Sequence, residues 1–244
     1  MTAELRDLTV HVDTGRWRET VLSAVDLVVP PAQITALLGE SGCGKSMLAA
    51  SLAGRLPPTA RADGEVLIDG EVVPSEEWSM LRGRTVGYVP QEGVTAFAGE
   101  DTVGAQLRKL EGGHRGWSID RACAAAHYPA DALDLLPREH SGGQIQRAAL
   151  AAALVPAPRV LIVDEPTASL DTETAYGVWR TLREYANFGA AVLVVTHGVQ
   201  LLTATGFADR MVMMRGGRIV AAGTPAQLFV DADPYVQGFF TTGF

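Results

Sequence analysis

The sequence has few of the residues on which disulfide-rich and metal-stabilised proteins depend. Its 244 residues include two cysteines, Cys43 and Cys123, and neither has a spacing typical of metal ligands or of a redox pair. So few cysteines agree with a reducing compartment. A chain of this length can bury a sizeable apolar core in one domain without such support.

The sequence also lacks a long apolar run, a signal-like beginning and a basic tract. Its longest aliphatic run covers residues 148–155, whereas a membrane-spanning helix needs roughly 20 residues. The first residues carry charges where a secretory signal would be apolar, so we expect a cytoplasmic protein. The net charge of −8, without a Lys/Arg-rich stretch, argues against a sequence-independent grip on nucleic acid.

Short apolar runs alternate with helical patterns along the chain, and the first third is mostly strand-like. Strands are predicted over residues 5–12, 21–29, 34–38, 64–70 (a hairpin arm), 85–89, 160–163, 191–196 and 211–214, the last three in βα units. Helices are predicted over residues 46–55, within 101–136, and over 143–155. Apolar strands between helices indicate a parallel sheet that is covered on both faces.

An octapeptide between a predicted strand and a predicted helix carries the strongest chemical signal. It reads G-E-S-G-C-G-K-S and fits the phosphate-loop pattern G-x-x-x-x-G-K-[ST] in the required context. Inward-turned N–H groups and the helix N-terminus attract phosphate, Lys45 reaches the β- and γ-phosphates, and Ser46 offers its hydroxyl to Mg²⁺. We therefore predict ATP and Mg²⁺ as cofactors, with binding residues Gly39, Glu40, Ser41, Gly42, Cys43, Gly44, Lys45, Ser46 and Met47.

Two acidic residues follow the apolar run at residues 160–163, at the strand end where open parallel sheets bind their ligands. We predict that Asp164 holds Mg²⁺, through water, and that Glu165 polarises the water that attacks the γ-phosphate. Alone, this pattern would more often be an ordinary turn. The phosphate loop in the same chain favours the catalytic interpretation.

A second segment suited to anions opens the helix predicted at residues 143–155. Ser141, Gly142, Gly143 and Gln144 combine a hydroxyl with the free N–H groups of a positive helix end. The segment has no lysine, so we expect it to serve a nucleotide bound by a neighbouring subunit. In isolation it would be read as an ordinary helix start.

These three segments, in this order, resemble the ATP-binding-cassette (ABC) ATPases over nearly the whole chain. The resemblance implies an α/β fold of the P-loop NTPase (RecA-like) type, with a parallel-sheet core, an N-terminal antiparallel β layer and an inserted helical lobe. It implies one domain over residues 1–244, with the core at about 1–91 and 158–244 and the lobe at about 92–157. It also implies ATP hydrolysis by a head-to-tail dimer that sandwiches each ATP between one phosphate loop and the partner's Ser-Gly-Gly-Gln helix.

The resemblance assigns roles to four further positions. Gln91 is similar to the glutamine that contacts Mg²⁺ and the attacking water, and His197 to the histidine that holds the γ-phosphate. Residues 169–171 look like the loop that crosses the dimer interface. Trp17 is a candidate for stacking on adenine, the alternative being a surface tryptophan in a loop. The implied catalytic residues are Glu165, His197, Lys45 and Gln91, and the implied Mg²⁺ ligands are Ser46, Gln91 and Asp164.

One residue departs from the family pattern, and other stretches narrow the resemblance. The ABC signature segment usually has leucine directly before its Ser-Gly-Gly-Gln residues, and here His140 takes that position. This substitution could change the packing of the helix that begins at Ser141. Residues 91–97, 102–106 and 233–235 resemble oligopeptide, dipeptide and nickel importers. This implies a peripheral protein at the cytoplasmic face of the membrane, powering uptake of a peptide-, nickel- or metal-chelate-type substrate.

The implied direct partners are a second, related but different ABC ATPase subunit and two transmembrane permease subunits. An extracytoplasmic substrate-binding protein is an implied indirect partner, and no nucleic acid partner is expected. The residues specify neither the substrate nor whether the ATPase partner is an identical copy, and import rests on the resemblance. One rival function is an ABC ATPase acting on nucleic acid or ribosomes, but about 50 residues between Gln91 and Ser141 leave no room for a coiled-coil insertion. A non-hydrolysing nucleotide switch is a second rival, against which Glu165 and His197 argue.

Overall fold

The computed structural model describes residues 1–111 and 116–241, without the Gln200 side chain. The strands are β1 Ala3–Asp13, β2 Arg18–Val29, β3 Gln33–Gly39, β4 Ala60–Ile68, β5 Glu71–Val72, β6 Val86–Val89, β7 Val160–Asp164, β8 Ala191–Val195, β9 Arg210–Arg215 and β10 Arg218–Gly223. The helices are α1 Lys45–Leu52, α2 Trp78–Leu81, α3 Val103–Leu110, α4 Ile119–Ala125, α5 Gly142–Leu154, α6 Thr172–Asn187, α7 Val199–Thr205, α8 Pro225–Phe229 and α9 Pro234–Thr241. Short 3-10 turns lie at Gly93–Ala96, Ala130–Ala132 and Pro137–Glu139.

The strands form two sheets, and the predicted α/β architecture is confirmed. An antiparallel layer has the order β2-β1-β4-β5, and a larger sheet has the order β10-β9-β3-β8-β7-β6. Pairing in the larger sheet is parallel from β9 to β6. Parallel pairing brings the carboxyl ends of β3, β7 and β8 to one edge, where the chemically active loops begin.

The prediction that a helix follows the strand at residues 211–214 is wrong. After β9 the chain turns back as β10, which pairs antiparallel at the sheet edge. Gly216 and Gly217 make this turn with φ of 54° and 74°, a conformation that favours a tight hairpin. The helical region predicted over 101–136 is likewise shorter in the structure, and α3 and α4 are its helices within the described residues.

Alternate residues of the central strand β3 face two different apolar clusters. Ile34, Ala36 and Leu38 pack with side chains from α5 and α6, on one face of the sheet. Leu37 packs on the other face with α1 and the antiparallel layer. Burial on both faces explains why the strands are apolar throughout rather than alternating. The phosphate loop and α1 are thereby fixed between two packed layers.

The helices α3, α4 and α5 pack together through small and aliphatic side chains such as Leu107, Ala122 and Leu150. They lie in the stretch predicted as a helical lobe, whose boundaries at residues 92 and 157 remain a prediction. None of the helices in the described part of the chain is long and apolar enough to cross a membrane.

Candidate functional site

The phosphate loop lies between β3 and α1 and leaves its N–H groups available to a ligand. Gly42 and Gly44 have φ of 78° and 104°, which residues with a side chain rarely adopt. Gly44 precedes α1 without a side-chain cap, so no side chain occupies the helix N-terminus. A Cβ atom on Gly39 would lie 2.4 Å from the carbonyl oxygen of Met214, so this position also requires glycine.

Lys45 is almost completely buried at the start of α1. Its ammonium group donates hydrogen bonds to the carbonyl oxygens of Gly39 and Glu40, both at 2.8 Å. Its remaining neighbour is the Cys43 sulfur at 4.0 Å, a weak acceptor. A phosphate oxygen would be a much better partner for the third N–H.

Cys43 contributes to the loop through its backbone. Its thiol is 7% exposed and its carbonyl oxygen accepts a 3.0 Å hydrogen bond from the N–H of Gly217. Burial raises the pKa of the thiol, which Lys45 lowers in part. The side chain is therefore part of the packing beneath the loop and an unreactive thiol.

Asp164 ends the buried strand β7 with a carboxylate that is 1% exposed. Its Oδ1 atom has no hydrogen-bond partner among the described residues. Burial raises the pKa of Asp164, whereas the neighbouring Ser46 hydroxyl and the charge of Lys45 lower it. A buried carboxylate oxygen without a partner, beside a hydroxyl, is a donor set that suits a hydrated Mg²⁺ ion.

Glu165 is held in an unusual backbone conformation directly after β7. Its φ is +50°, which costs a residue other than glycine about 1 kcal/mol or more, and its N–H donates to the Val195 carbonyl at 3.0 Å. This conformation turns the side chain towards the phosphate loop. Burial, and then the charge of Asp164, raise the pKa of Glu165 to about 7, as is favourable for a general base.

His197 follows β8 and faces Glu165. Its Nε2 lies 2.8 Å from Glu165 Oε1, but the contact lacks the angle of a hydrogen bond. Among the described residues, Oε1 has no hydrogen-bond partner. Burial and the charge of Lys45 lower the pKa of His197. The two side chains are close enough to act on one small group between them.

Residues from five separate stretches of the sequence converge on one open cavity of about 270 Å³. Its lining is Val21, Ser41, Gly42, Gly44, Lys45, Ser46, Met47, Gln91, Glu165 and His197. This volume is smaller than the roughly 300–1,000 Å³ of a typical small-molecule pocket. The predicted residues Gly39, Glu40, Cys43 and Asp164 are not among the residues that line the cavity.

The Ser-Gly-Gly-Gln segment is exposed at the start of α5 and does not line this cavity. The Ser141 hydroxyl accepts a hydrogen bond from the Gln144 N–H at 3.3 Å, and the Gln144 side chain accepts from the Ser141 N–H at 2.9 Å. This capping box fixes the helix start. Gly143 packs against the loop at residues 169–171, because a Cβ there would lie 3.0 Å from Leu170 and from the Ser169 carbonyl.

His140 replaces the family's leucine without disturbing this helix start. Its Nδ1 lies 2.9 Å from the Leu136 carbonyl oxygen and its Nε2 lies 2.8 Å from the Tyr128 hydroxyl. The His140 and Tyr128 rings are also stacked, with centroids 5.8 Å apart. Polar contacts and stacking therefore fix the residue that precedes Ser141.

Trp17 lies outside the cavity, in the turn between β1 and β2, and is 50% exposed. Val21, four residues further along the chain and within β2, lines the cavity. At about 3.3 Å per residue, Trp17 lies roughly 13 Å along the strand from that wall. Stacking of Trp17 on adenine remains a prediction.

Gln146 is a residue that sequence reasoning missed. Its side chain is 6% exposed and forms two hydrogen bonds with the loop that carries Gln91. It accepts from the Gly93 N–H at 2.9 Å and donates to the Pro90 carbonyl at 3.0 Å. Gln146 thus links the loop of Gln91 to α5, the helix that begins at Ser141.

Replacing Gln146 with leucine should destabilise the protein by about 2–4 kcal/mol, because two buried backbone groups lose their partner. The free energy of unfolding in urea measures this loss. Gln237→Leu is the matched control, because that exposed glutamine makes one hydrogen bond to the Asp231 carbonyl. Equal unfolding free energies for the two variants would show that the Gln146 contacts contribute nothing.

Comparisons with known proteins agree with this geometry. A family profile described as ABC transporter matches residues 22–168. The hemin import ATP-binding protein HmuV of Pseudomonas fluorescens (strain Pf0-1) is 36% identical over 92% of this chain and 88% of HmuV. The Fe(3+) ions import ATP-binding protein FbpC 2 of Rhodococcus jostii (strain RHA1) is 33% identical over 89% of this chain, and the oligopeptide transport ATP-binding protein OppD of Mycobacterium tuberculosis is 31% identical over 96%. The chain spans 62% of FbpC 2 and 40% of OppD.

Solved structures show the same fold. The ATP-binding cassette MJ0796, determined as a dimer in a post-hydrolysis state with ADP and Pi, has a TM-score of 0.79 at 24% identity and covers 91% of this chain and 98% of its own. An ATP binding subunit of an ABC transporter has a TM-score of 0.76 at 25% identity, over 94% of this chain and 92% of its own. The chain therefore belongs to the ABC transporter family and is one of its ATP-binding, ATP-hydrolysing subunits.

Proposed function

We propose that this chain hydrolyses Mg·ATP to power uptake of a peptide-, nickel- or metal-chelate-type substrate through partner membrane subunits. The observation that supports hydrolysis, beyond binding, is the pairing of Glu165 and His197 beside Lys45 at one cavity. A chain that only bound nucleotide would need the lysine and the loop. It would not need a buried carboxylate whose pKa is raised to about 7.

Each residue of the site has a separate task in this proposal. Lys45 and the loop N–H groups neutralise the β- and γ-phosphates, and His197 holds the γ-phosphate. Glu165 accepts a proton from the attacking water, which Gln91 helps to position. Bound Mg²⁺, held by Ser46, Asp164 through water and Gln91, would supply charge for the phosphate oxygens.

The proposal includes a nucleotide shared between two ATPase chains. The cavity at the phosphate loop is open and too small to enclose a whole ATP molecule. A second phosphate-seeking helix end, at Ser141, is exposed and outside the cavity of its own chain. Head-to-tail pairing would let each chain's Ser141 complete the site of the other. We expect the second chain to be a related but different ATPase subunit.

A groove beside the loop of Gln91 supports docking of a membrane subunit on the helical side. Its volume is about 230 Å³, and its walls include Arg55 and Tyr88 from the core and Leu110 and Ala149 from α3 and α5. Leu110 is 41% exposed although it is apolar. One or two side chains of a permease subunit would fit there, beside Thr95 and next to Pro90, which precedes Gln91.

The import direction and substrate class of this proposal draw on two observations. The stretches at residues 91–97, 102–106 and 233–235 resemble peptide and nickel importers, and OppD, named for oligopeptide transport, is among the relatives. HmuV and FbpC 2 are named for hemin and Fe(3+) import. We therefore place the chain peripherally at the cytoplasmic face of the membrane, with a substrate-binding protein acting indirectly through the permeases.

Purifying the chain with its native membrane partners would test this function. We expect a second ATPase chain and two permeases to co-purify, and ATP turnover to rise when the substrate-binding protein carries an oligopeptide or a Ni²⁺ chelate. Stimulation by unchelated ferric ion, without any by an oligopeptide, Ni²⁺ or a metal chelate, would contradict the substrate class. Co-purification of nucleic acid or ribosomes would instead support the non-transport rival, and absence of turnover in the complete assembly would support the nucleotide switch.

A further inference from the structure

The hydroxyl group of Tyr235 lies between the phosphate loop and strand β9. It accepts a hydrogen bond from the Glu40 N–H at 3.3 Å and donates one to the Met214 carbonyl oxygen at 2.6 Å. Tyr235 and Glu40 are 195 positions apart in the sequence. A single side chain near the C-terminal end thus connects the first turn of the phosphate loop to the sheet.

The Tyr235 side chain is held in place from several directions. Asp233 accepts a hydrogen bond from the Tyr235 N–H at 2.8 Å, at the start of α9. The ring packs edge-on against Phe239 at 5.2 Å, and the Arg215 guanidinium lies 5.0 Å from its centroid. Its hydroxyl donates to the Met214 carbonyl oxygen, and burial raises the pKa of Tyr235.

The two backbone groups that Tyr235 contacts are also the ones that shape the lysine site. The Met214 carbonyl is the atom that leaves room only for glycine at position 39. The Glu40 residue donates its N–H to Tyr235 and its carbonyl accepts from Lys45 at 2.8 Å. A movement of Glu40 would therefore move an acceptor of the catalytic lysine.

We propose that Tyr235, on helix α9, is a positioning residue for ATP binding. Its hydroxyl fixes Glu40 and thereby the first residues of the phosphate loop. The inference rests on the phosphate loop being the ATP site. It makes α9 part of the nucleotide site, although α9 contributes no residue to the cavity lining. A purely structural role would be to dock α9 on the core through the ring, without any effect on the loop.

Replacing Tyr235 with phenylalanine separates these roles, because the ring contacts stay and the hydroxyl is lost. The variant loses both hydrogen bonds of the hydroxyl, and we expect release of Glu40 to weaken ATP binding about three- to ten-fold, with the KM for ATP raised and kcat nearly unchanged. We also expect faster hydrogen exchange at the Glu40 amide in the nucleotide-free protein. Tyr176→Phe is the control, because that tyrosine is 47% exposed and lies on α6, outside the cavity lining.

Unchanged ATP affinity together with unchanged exchange at Glu40 would overturn the proposal. Equal changes in both Tyr→Phe variants would overturn it too, because they would not depend on the hydroxyl at position 235. These outcomes are distinguishable from failure of the ATP site itself, since the unmodified chain and the Tyr176→Phe variant would still bind ATP. A drop in thermal stability with normal affinity and exchange would leave Tyr235 only the structural role.

Discussion

Replacing Glu165 with glutamine is expected to leave ATP binding intact and to remove nearly all turnover. Glutamine has the same shape but cannot accept a proton from the attacking water, and a general base contributes typically 10²- to 10⁴-fold to the rate. Removing one of two neighbouring buried carboxyl groups also lowers the cost of bringing the triphosphate close to Asp164. ATP affinity should therefore be equal to that of the unmodified chain or higher.

Phosphate release and equilibrium ATP binding, measured on the same preparation, test this prediction. If hydrolysis reopens the proposed ATP-bound pair, the Glu165→Gln variant should also accumulate as an ATP-bound dimer. Glu184→Gln is the control, since Glu184 is an exposed acid on α6 whose carboxylate lies 3.8 Å from Arg180. Full turnover in Glu165→Gln would remove Glu165 from the role of base.

Replacing Lys45 with alanine should have the opposite signature, a loss of binding itself. The ammonium group is the buried positive charge nearest to the loop, and hydrogen bonds to a charged partner contribute about 1.5–3 kcal/mol, or roughly ten- to hundred-fold in affinity. Turnover falls in addition, because the same charge stabilises the transferring phosphoryl group. Titration with ATP in the presence of Mg²⁺ measures the first effect directly.

Lys109 offers a matched control, because the sequence has two lysines and Lys109 is the other one. It is exposed on α3 and forms an ion pair with Asp101 at 2.5 Å. Lys109→Ala should bind ATP normally. If both lysine variants kept full affinity, the octapeptide at residues 39–46 would not be the phosphate site.

Local signals in the sequence predicted the phosphate loop, the acidic pair after β7 and much of the sheet. The loop and the acidic pair each combine a short motif with a neighbouring apolar strand, and the parallel sheet brings such strand ends together. His197 and Gln91 were assigned by the family resemblance alone. The strand β10 was missed because residues 218–223 alternate weakly, although the Gly216-Gly217 turn that creates it is a recognised hairpin signal.

Other features of the site depend on contacts that no local pattern encodes. The Gln146 amide reaches a loop 53 residues away, and the Tyr235 hydroxyl reaches one 195 residues away. Likewise, Glu165 combines its positive φ with a hydrogen bond to the Val195 carbonyl, on a neighbouring strand. Gln146 could have been found as a polar residue on the apolar face of a predicted helix, because a polar side chain that is buried there needs a hydrogen-bond partner.

His140 shows how tertiary context can rescue an unusual residue. From the sequence, a polar ring in place of leucine was expected to affect the packing of the helix that begins at Ser141. In the structure, the Leu136 carbonyl and the Tyr128 hydroxyl accommodate both ring nitrogens. The capping box at Ser141 and Gln144 is formed, so the helix start remains available to a partner's nucleotide.

We propose that two incomplete sites, one at Lys45 and one at Ser141, meet on a shared ATP across two chains. A structure of the Glu165→Gln assembly with Mg·ATP and its companion ATPase subunit measures this directly. We expect the Ser141 hydroxyl to lie at hydrogen-bond distance, about 2.5–3.0 Å, from a γ-phosphate oxygen of the ATP held by the other chain. A closed assembly in which Ser141 faces solvent, with every triphosphate enclosed by one chain alone, would contradict it.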